Sequence, residues 1–350
     1  MDIEGFENVN VLIVKLSAVG DVIHTLPSLT ALRNLYPSAH ITWLIEEAAA
    51  DIVRDHPDLD GVIISRRKAW LKEIKAGHLR EPLREIGAFL RALRDRNYDL
   101  VIDFHGLFKS AVLVFLVRGK RKLGYDSYQE LSGLFYNEKI PEDMHKHAVD
   151  RYLDFPRYLG AASVTPEFKI AVGSDNREKV DALLAVNQIR GPFIAINPMA
   201  YWDTKLWREE HFAALCDRIG EAYGISVVLT GQPAPSLEKI RAMSRYGVIN
   251  LEGQTTLKDL AELYRRAVLL ITTDSGPMHL AAAMDTPVVA LFGPTDAQRT
   301  GPYGARHMII REPLSCAPCF RKQCREMTCM ENITVEKVFA AVQDMLGRRL

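Results

Sequence analysis

Short runs of β-branched and other apolar residues alternate along this chain with longer segments of helical periodicity, and the alternation starts afresh near the middle. Such alternation is typical of βαβ units, in which helices connect parallel strands and cover the sheet. We therefore predict an α/β protein with two Rossmann-like sheets. The predicted strands lie at 9–14, 41–45, 61–64, 100–103, 193–197, 226–230, 268–273 and 287–293.

The length of 350 residues also favours two domains, because single hydrophobic cores stop growing at about 250–300 residues. A polar segment with one helical pattern and a Gly-Pro stop, at 172–192, marks the boundary. We predict domains over 1–172 and 173–333, and a C-terminal segment, 334–350, whose helix could pack back across either domain, the N-terminal domain included. The two sheets should face each other across a cleft between their carboxyl ends, where such folds bind ligands.

Composition excludes several classes of protein. The formal net charge is zero, so no nucleic-acid partner is indicated. The longest obvious apolar run, "AVLVFLV" at 111–117, is far shorter than the roughly 18 residues that span a bilayer. The acidic start "MDIEGFENVN" lacks the basic and apolar regions of a signal peptide. We therefore expect a cytoplasmic protein.

One carboxylate stands in the turn after the first predicted strand. The turn "KLSAVGD" ends at Asp21, directly before a helical pattern. Asp21 could be the N-cap of that helix, a role worth about 1 kcal/mol. It also lies at the carboxyl end of a parallel strand, where open α/β sheets place reactive groups.

A candidate anion site opens a helix in the second half, at "DSGPMHLAAA". Backbone N–H groups at the start of a helix bind anions, and Ser275 can add a hydroxyl donor while His279 lies one turn further. The alternative is an ordinary Asp or Ser N-cap. The loop "LFGPT" at 291–295 follows a later strand and should lie on the same rim.

A lysine stands in the loop after the strand at 193–197, within "WDTKLWREEHF". Lys205 could sit over a phosphate as a compact charge, or be an ordinary solvated surface lysine. Trp202 and Trp207 beside it favour a structured loop.

Two further patterns concern metals. Four cysteines have the spacing C-x2-C-x4-C-x4-C, which fits a structural zinc site, reduced thiols or a redox-sensitive pair. The second pair lacks the CxxC spacing of zinc sites, which favours reduced thiols or a redox-sensitive pair over zinc. The four cysteines are Cys316, Cys319, Cys324 and Cys329. The triplet Asp58-Leu59-Asp60 matches the D-x-D pattern that holds Mg²⁺ or Mn²⁺ in some enzymes, but it precedes a strand far in sequence from the anion site, so we interpret it as chance.

Taken together, these motifs resemble a known family. "VLIVKLSAVGDVIHTLP", "WDTKLWREEHF", "DSGPMHLAAA" and "LFGPT" are similar, in this order, to the bacterial ADP-heptose:lipopolysaccharide heptosyltransferases of glycosyltransferase family 9. "RRKAW", "VIDFHGLFKSA", "LFYN" and "HAVDRYL" resemble the branch of that family that adds the first heptose to the Kdo region of lipid A.

The resemblance implies a GT-B fold and transfer with inversion, with no cofactor or bound metal. It implies an acceptor-binding N-terminal domain and a nucleotide-sugar-binding C-terminal domain, with ADP-heptose and Kdo-lipid A as partners. The catalytic base falls on Asp21, and the donor and phosphate contacts fall on Lys205, Asp274, Ser275, Gly276 and His279. Where the family often has a glutamate near the ribose, this chain has Pro235, and Glu238 is the substitute. The segment "DSYQELSG" lacks the arginine that the family often carries there.

The basic stretch 66–96 fits the same interpretation, with ten Lys or Arg against four Asp or Glu. Its part from residue 80 onward has the pattern of a solvated helix face. Arg66, Arg67 and Lys68 follow a strand, and their charges suit the carboxylates and phosphates of such an acceptor as well as an anionic inner-membrane surface. We therefore expect a cytoplasmic enzyme peripheral to the inner membrane. The alternatives are transfer to a later core sugar, or a non-catalytic sugar-nucleotide-binding protein.

Overall fold

The computed structural model describes residues 9–126 and 129–347. The chain divides into two compact units between Ala171 and Val172. Within the described ranges, no helix has the length and apolar character that crossing a bilayer requires.

The first unit contains one six-stranded sheet whose paired strands are all parallel. The strand order is β3-β2-β1-β4-β5-β6, which is the order of a doubly wound nucleotide-binding sheet. The strands are β1 Asn10–Val14, β2 His40–Glu46, β3 Gly61–Ser65, β4 Tyr98–Asp103, β5 Gly119–Tyr125 and β6 Glu138–Ile140. The helices are α1 Val19–Leu35, α2 Arg67–Lys75, α3 Arg80–Arg94, α4 Phe108–Leu116 and α5 Ala148–Tyr158, with 3-10 segments at Glu47–Ile52 and Gln129–Phe135.

The second unit repeats this topology. Its sheet has the order β12-β11-β10-β7-β8-β9, again parallel throughout its recorded pairs. The strands are β7 Phe193–Asn197, β8 Ser226–Leu229, β9 Ile249–Asn250, β10 Leu269–Thr273, β11 Val288–Phe292 and β12 Met308–Arg311. The helices are α6 Ser174–Val186, α7 Glu209–Tyr223, α8 Pro235–Met243, α9 Leu257–Arg266, α10 Gly276–Ala283, α11 Ala297–Thr300, α12 Thr328–Glu331 and α13 Val335–Gly347, with a 3-10 turn at Asp203–Lys205.

The predicted α/β class with two Rossmann-like units is confirmed, and all eight predicted strands exist with ends shifted by a few residues at most. Strands β5, β6, β9 and β12 escaped prediction. Two of them, β6 and β9, have only three and two residues, too few to display an alternating pattern.

The C-terminal helix packs in the second unit. The sequence left both domains open to α13, and its apolar stripe is buried in the core of the second unit, against α7, β11 and β12. The stripe recurs at helical spacing, at Val338, Ala341, Val342, Met345 and Leu346. The indole of Trp207 donates to the carbonyl oxygen of Ile333 at 2.8 Å and ties the chain to this unit just before the helix.

Each sheet has a switch point, where the strand order reverses and the loops at the carboxyl ends diverge. In the first unit it lies between β1 and β4, where Val14 is level with Asp103. In the second it lies between β7 and β10, where Asn197 is level with Thr272. Open α/β sheets bind ligands at such points. The loops after these four strands are therefore the first places to search for function.

Candidate functional site

Asp21 lies in the loop-to-helix turn after β1. Helix α1 begins at Val19, with Ala18 as the N-cap residue, so Asp21 is the third helical residue and not the N-cap that the sequence suggested. Its Oδ2 accepts the backbone N–H of Ala18 at 3.2 Å, which is the carboxylate half of a capping box. This bond occupies one carboxylate oxygen and fixes the orientation of the side chain.

A buried lysine lies behind Asp21. Lys15 is 3% exposed, and its Nζ donates to the hydroxyl of Tyr152 at 2.6 Å and to the carbonyl oxygen of Phe104 at 2.9 Å. The Tyr152 hydroxyl is also hydrogen-bonded to the Asp21 carboxylate. Since the tyrosine oxygen accepts from Lys15, its proton is directed at Asp21. Lys15, Tyr152 and Asp21 thus form one chain of hydrogen bonds.

Burial affects the protonation states of Lys15 and Tyr152 in this chain of hydrogen bonds. It lowers the pKa of Lys15, an effect that the charges of Asp21 and Asp103 oppose. Burial and the charge of Asp21 raise the pKa of Tyr152 well above its ordinary value, so the phenol stays protonated and remains a donor. Burial, with the charges of Lys15 and Lys109, lowers the pKa of the neighbouring His105 to about 2, which keeps that imidazole neutral.

Lys109 joins the Asp21 turn to the basic cluster. It lies in the first turn of α4, and its Nζ donates to the hydroxyl of Ser17 at 3.2 Å and lies 3.8 Å from Oε1 of Glu46. Glu46 is only 5% exposed at its side chain, and it also pairs with Arg67 at 3.1 Å and approaches Lys68 at 4.0 Å. One buried carboxylate therefore gathers three cations close to the turn that carries Asp21.

The three predicted acceptor residues differ in how their charges are used. Arg66 donates to Glu47 and to both oxygens of Glu85, all at 2.9 Å. Its charge is therefore compensated within the unit. Lys68, in contrast, is 75% exposed and has only the long approach to Glu46. Of the three predicted cations, Lys68 is the best placed to bind an external anion.

In the second unit, Lys205 is not a solvated surface residue. Its Nζ pairs with Oδ2 of Asp274 at 2.6 Å, and the two side chains are 16% and 7% exposed. The hydroxyl of Thr295, in the "LFGPT" loop, donates to the same carboxylate oxygen at 2.6 Å. The structure thus brings together the loops after β7, β10 and β11, as the sequence predicted for one rim.

Helix α10 begins where the sequence placed the predicted anion site. Ser275 is the N-cap residue of α10, which begins at Gly276 with a proline in its first turn. The Ser275 hydroxyl lies 3.4 Å from the Thr273 carbonyl oxygen, and His279 is buried one turn further. Asp274, which the resemblance placed among the donor and phosphate contacts, carries negative charge and holds Lys205 by this ion pair.

An indole ring supports the Lys205 loop, as the tryptophans of this segment suggested. Lys205 Nζ lies 4.6 Å from the centroid of the Trp202 ring, and Lys322 Nζ lies 5.3 Å from it. The hydroxyl of Thr204 donates to the carbonyl oxygen of Arg321 at 2.8 Å. Sequence reasoning missed Lys322 because it stands 117 residues beyond Lys205 in the cysteine-rich segment.

Glu238 is not joined to the Lys205 network by any recorded contact. It lies on α8, about half exposed, and its carboxylate accepts two hydrogen bonds from Arg241 at 2.6 and 3.0 Å. The first turn of α8 is nearer to the β7 loop, because the Ser236 hydroxyl lies 3.7 Å from the sulfur of Met199.

The cysteine-rich segment packs on the rim of the second sheet. Cys316, Cys319, Cys324 and Cys329 are free thiols, and nowhere in 9–126 or 129–347 do three His, Cys, Asp or Glu side chains converge to hold a metal ion. The N–H groups of Cys319 and Phe320 both donate to the carbonyl oxygen of Pro294, at 2.9 and 2.8 Å, in the "LFGPT" loop.

The D-x-D triplet is occupied by structural contacts. Asp58 accepts from the hydroxyl of Thr30 at 2.8 Å and pairs with Lys169 at 3.1 Å. Asp60 pairs with Arg33 at 2.5 Å and accepts the N–H of Ile41. Both carboxylates thus hold the far end of α1 to the sheet.

Two doubly wound units, with a supported carboxylate at one switch point and a lysine beside a helix N-terminus at the other, have the architecture of the GT-B class of glycosyltransferases. The chain belongs to glycosyltransferase family 9, the heptosyltransferases, whose family model matches residues 86–330.

Similarity to individual proteins extends over most of the chain. The chain is 34% identical to lipopolysaccharide heptosyltransferase 1 of Pseudomonas aeruginosa, an alignment that covers 90% of this chain and 87% of the relative. Its fold matches E. coli heptosyltransferase WaaC with ADP at a TM-score of 0.77 and 28% identity, over 96% of this chain and 100% of the other. WaaC with ADP-2-deoxy-2-fluoro heptose matches at 0.74 and 28%, over 96% and 99%. The resemblance to heptosyltransferase I drawn from the sequence is confirmed.

Proposed function

We propose that this enzyme transfers L-glycero-D-manno-heptose from ADP-heptose to the Kdo region of lipid A, with inversion at the anomeric carbon. Support comes from family 9 membership, from the similarity to lipopolysaccharide heptosyltransferase 1, and from the WaaC structures with ADP and with a heptose analogue. Transfer of the first heptose belongs to the synthesis of the lipopolysaccharide inner core.

The observation that carries the proposal is the support of Asp21. A general base must be oriented and must present a free lone pair to the acceptor hydroxyl. The Ala18 N–H and the Tyr152 hydroxyl orient the carboxylate of Asp21, and Lys15 holds Tyr152 in turn. A carboxylate that served only as a cap would need neither Tyr152 nor Lys15.

In the proposed reaction, Asp21 takes the proton of the attacking acceptor hydroxyl. The acceptor oxygen forms a bond to the anomeric carbon of the heptose as the bond from that carbon to the diphosphate oxygen breaks. The electron pair leaves with ADP, whose diphosphate gains negative charge. The face of the sugar that is attacked lies opposite the leaving group, and the anomeric configuration inverts.

The second unit supplies groups that suit this leaving group. We assign Lys205, the N–H groups at Ser275 and Gly276, and His279 to the diphosphate, since preorganised donors aimed at developing charge give the largest single contribution to catalysis. Asp274 holds Lys205 by the ion pair of 2.6 Å. Glu238 stays a predicted ribose contact, although its pairing with Arg241 makes it the weakest of these assignments.

The basic cluster of the first unit suits the acceptor. Kdo carboxylates and lipid A phosphates are anions, and Lys68, Arg67 and Lys109 are gathered around Glu46 beside the Asp21 turn. Arg66 is assigned a different part, because its bonds to Glu47 and Glu85 fix the start of α2.

We predict that Lys68→Ala raises the KM for the acceptor about tenfold, the scale of one charge-assisted hydrogen bond, with little change in kcat or in the KM for ADP-heptose. Lys72→Ala, which removes an exposed lysine of the same helix, is the matched control. Steady-state kinetics with each substrate varied in turn makes the measurement. An unchanged acceptor KM would remove Lys68 from the binding surface.

The proposed acceptor also indicates where in the cell the enzyme acts. Lipid A is a membrane lipid, so we propose a cytoplasmic enzyme that acts at the surface of the inner membrane.

The direct test is product formation from ADP-heptose and Kdo-lipid A, read by mass spectrometry. We expect a gain of one heptose on Kdo, and we expect EDTA to leave the initial rate nearly unchanged, because the diphosphate charge is assigned to Lys205, His279 and the start of α10. Loss of activity that Mg²⁺ restores would make metal part of the reaction. Transfer only to an acceptor that already carries heptose would indicate a later core sugar, and binding without transfer would indicate a non-catalytic protein.

A further inference from the structure

An exposed apolar surface lies on the first unit, on α4 and the 3-10 segment that follows β5. Its large side chains are those of Phe108, Phe115, Leu131 and Leu134, which are 50%, 65%, 58% and 69% exposed. We call these four residues the apolar patch. Contiguous exposure of this kind is uncommon on a protein surface that meets only water.

The patch is held in place by ordered contacts. The ring of Phe135 packs edge-on against both Phe108 and Phe115, with centroids 6.1 and 5.9 Å apart. The N–H of Phe108 donates to a carboxylate oxygen of Glu130 at 3.1 Å, and the hydroxyl of Ser132 donates to the carbonyl oxygen of Gly106 at 2.9 Å. The exposed side chains therefore belong to a fixed surface.

Helix α4 is apolar on both sides. Its inner side packs in the core of the first unit through Val114, with Leu113 and Leu116 against the same cluster. Phe108, Val112 and Phe115 recur at i, i+4 and i+7 and form the outer side, where a helix in contact with water alone would carry polar residues. The composition of the outer side therefore favours contact with an apolar surface over contact with water.

The segment that contains α4 and β5 is rich in cations. Residues 104–125 contain five Lys or Arg and no Asp or Glu, although the whole chain has a net charge of zero. Lys122 lies on β5, and its Nζ reaches the end of α4, 3.4 Å from the carbonyl oxygen of Phe115. Lys120, on the same strand, is 76% exposed at its side chain and pairs with Asp99 at 2.8 Å, and Arg118 is exposed just before the strand. Lys122 and Arg118 thus place cations along one edge of the apolar patch, and Glu130 adds one carboxylate, which accepts from the N–H of Phe108. An apolar surface with cations along its edge is complementary to an anionic lipid surface.

We propose that the apolar patch docks on the anionic lipid bilayer, with Phe115 and Leu134 entering the acyl boundary and Lys122 contacting headgroups. This inference names the surface by which the enzyme would contact the inner membrane. It rests on the proposed function only in that the proposed acceptor is a membrane lipid. Lys109 lies next to Phe108 and bonds to Ser17, so docking here brings the bilayer to the loop that leads to Asp21.

The test uses co-flotation of the full chain with vesicles of phosphatidylethanolamine and phosphatidylglycerol, and with vesicles of phosphatidylcholine alone. We expect binding to the anionic vesicles to weaken on the order of tenfold in Phe115→Ser and in Leu134→Ser, which corresponds to about 1.4 kcal/mol each. Lys122→Gln should weaken binding to the anionic vesicles and leave the weak binding to neutral vesicles unchanged. Val186→Ser, which removes an 80% exposed apolar side chain from the second unit, is the matched control.

The vesicles contain no acceptor lipid, so the result does not depend on whether the enzyme transfers heptose. As a folding control, each variant should keep the parental Tm and the parental rate on an acceptor from which the acyl chains have been removed. Parental vesicle binding by both patch variants would overturn the proposal, and so would binding that requires the acceptor lipid. Concentration-dependent dimers that Phe115→Ser dissociates, with vesicle binding unchanged, would overturn it too and assign the patch to a second copy of this chain.

Discussion

Asp21→Asn should bind ADP-heptose with near-parental affinity and should lower turnover by about 10² to 10⁴, the usual contribution of a positioned general base. A base acts only while the acceptor proton leaves, so its loss changes the transition state and not the bound donor. Asparagine keeps the shape of the side chain, and its carbonyl oxygen can still accept from the Ala18 N–H. Calorimetry measures donor binding, and a single-turnover assay measures transfer.

The alternative role of Asp21 as a helix cap needs its own control. Asp259 occupies the same third position in α9, where its Oδ2 accepts the N–H of the N-cap residue Thr256 at 2.9 Å. Asp259→Asn should therefore lower the free energy of unfolding and leave transfer by the folded protein near the parental rate. If Asp21→Asn behaves like Asp259→Asn, Asp21 is a cap, and the base has to be sought elsewhere in the first unit.

The positions of the candidate residues could be predicted because the fold is doubly wound. Sequence patterns located β1, β7 and β10, and parallel strands present their carboxyl ends on one edge, so Asp21, Lys205 and Asp274 had to lie on the rims. The meeting of Lys205 with Asp274 and of Thr295 with the same carboxylate agrees with that argument. The catalytic roles of these residues stay predictions.

The partners of these residues could not be predicted, because they depend on contacts between distant parts of the chain. Lys15 and Tyr152 are 137 residues apart, and in the sequence Lys15 is simply the residue after an apolar strand. Glu46 likewise ends a strand without any sign that it gathers cations from α2 and α4. Local periodicity reports which side of an element is apolar, and it carries no information on which polar side chains meet.

The place of α13 could not be predicted for a similar reason. Its stripe of apolar residues showed that one side is buried, but the pattern fits any apolar surface of either unit. Two contacts place α13 in the second unit: the hydrogen bond from the Trp207 indole to the Ile333 carbonyl oxygen, and the packing of α13 on α7. A sequence pattern reveals neither contact.

Lys205→Ala should lower turnover by about 10²-fold, since removal of one preorganised donor to developing charge costs roughly 3 kcal/mol of transition-state stabilisation. The structure adds a complication, because Asp274 is only 7% exposed at its side chain and would lose its ion-pair partner. Removing one member of a buried pair typically destabilises a protein by about 3–5 kcal/mol. A fall in activity could then reflect unfolding, so the single variant alone does not isolate the contact with the diphosphate.

The double variant Lys205→Ala/Asp274→Asn separates these effects. Asparagine at position 274 carries no charge that could be left unpaired, and Thr295 could still donate to its side-chain carbonyl oxygen. We therefore expect the free energy of unfolding to recover toward the parental value, while turnover stays about 10²-fold low. Lys239→Ala, which removes a 65% exposed lysine from α8, controls for the loss of a positive charge from this unit. Denaturant unfolding and single-turnover transfer are measured on the parent, the single variant Lys205→Ala, the double variant and Lys239→Ala. Recovery of turnover together with stability in the double variant would show that Lys205 serves only to neutralise Asp274, and the diphosphate would then have to be bound by the start of α10 without it.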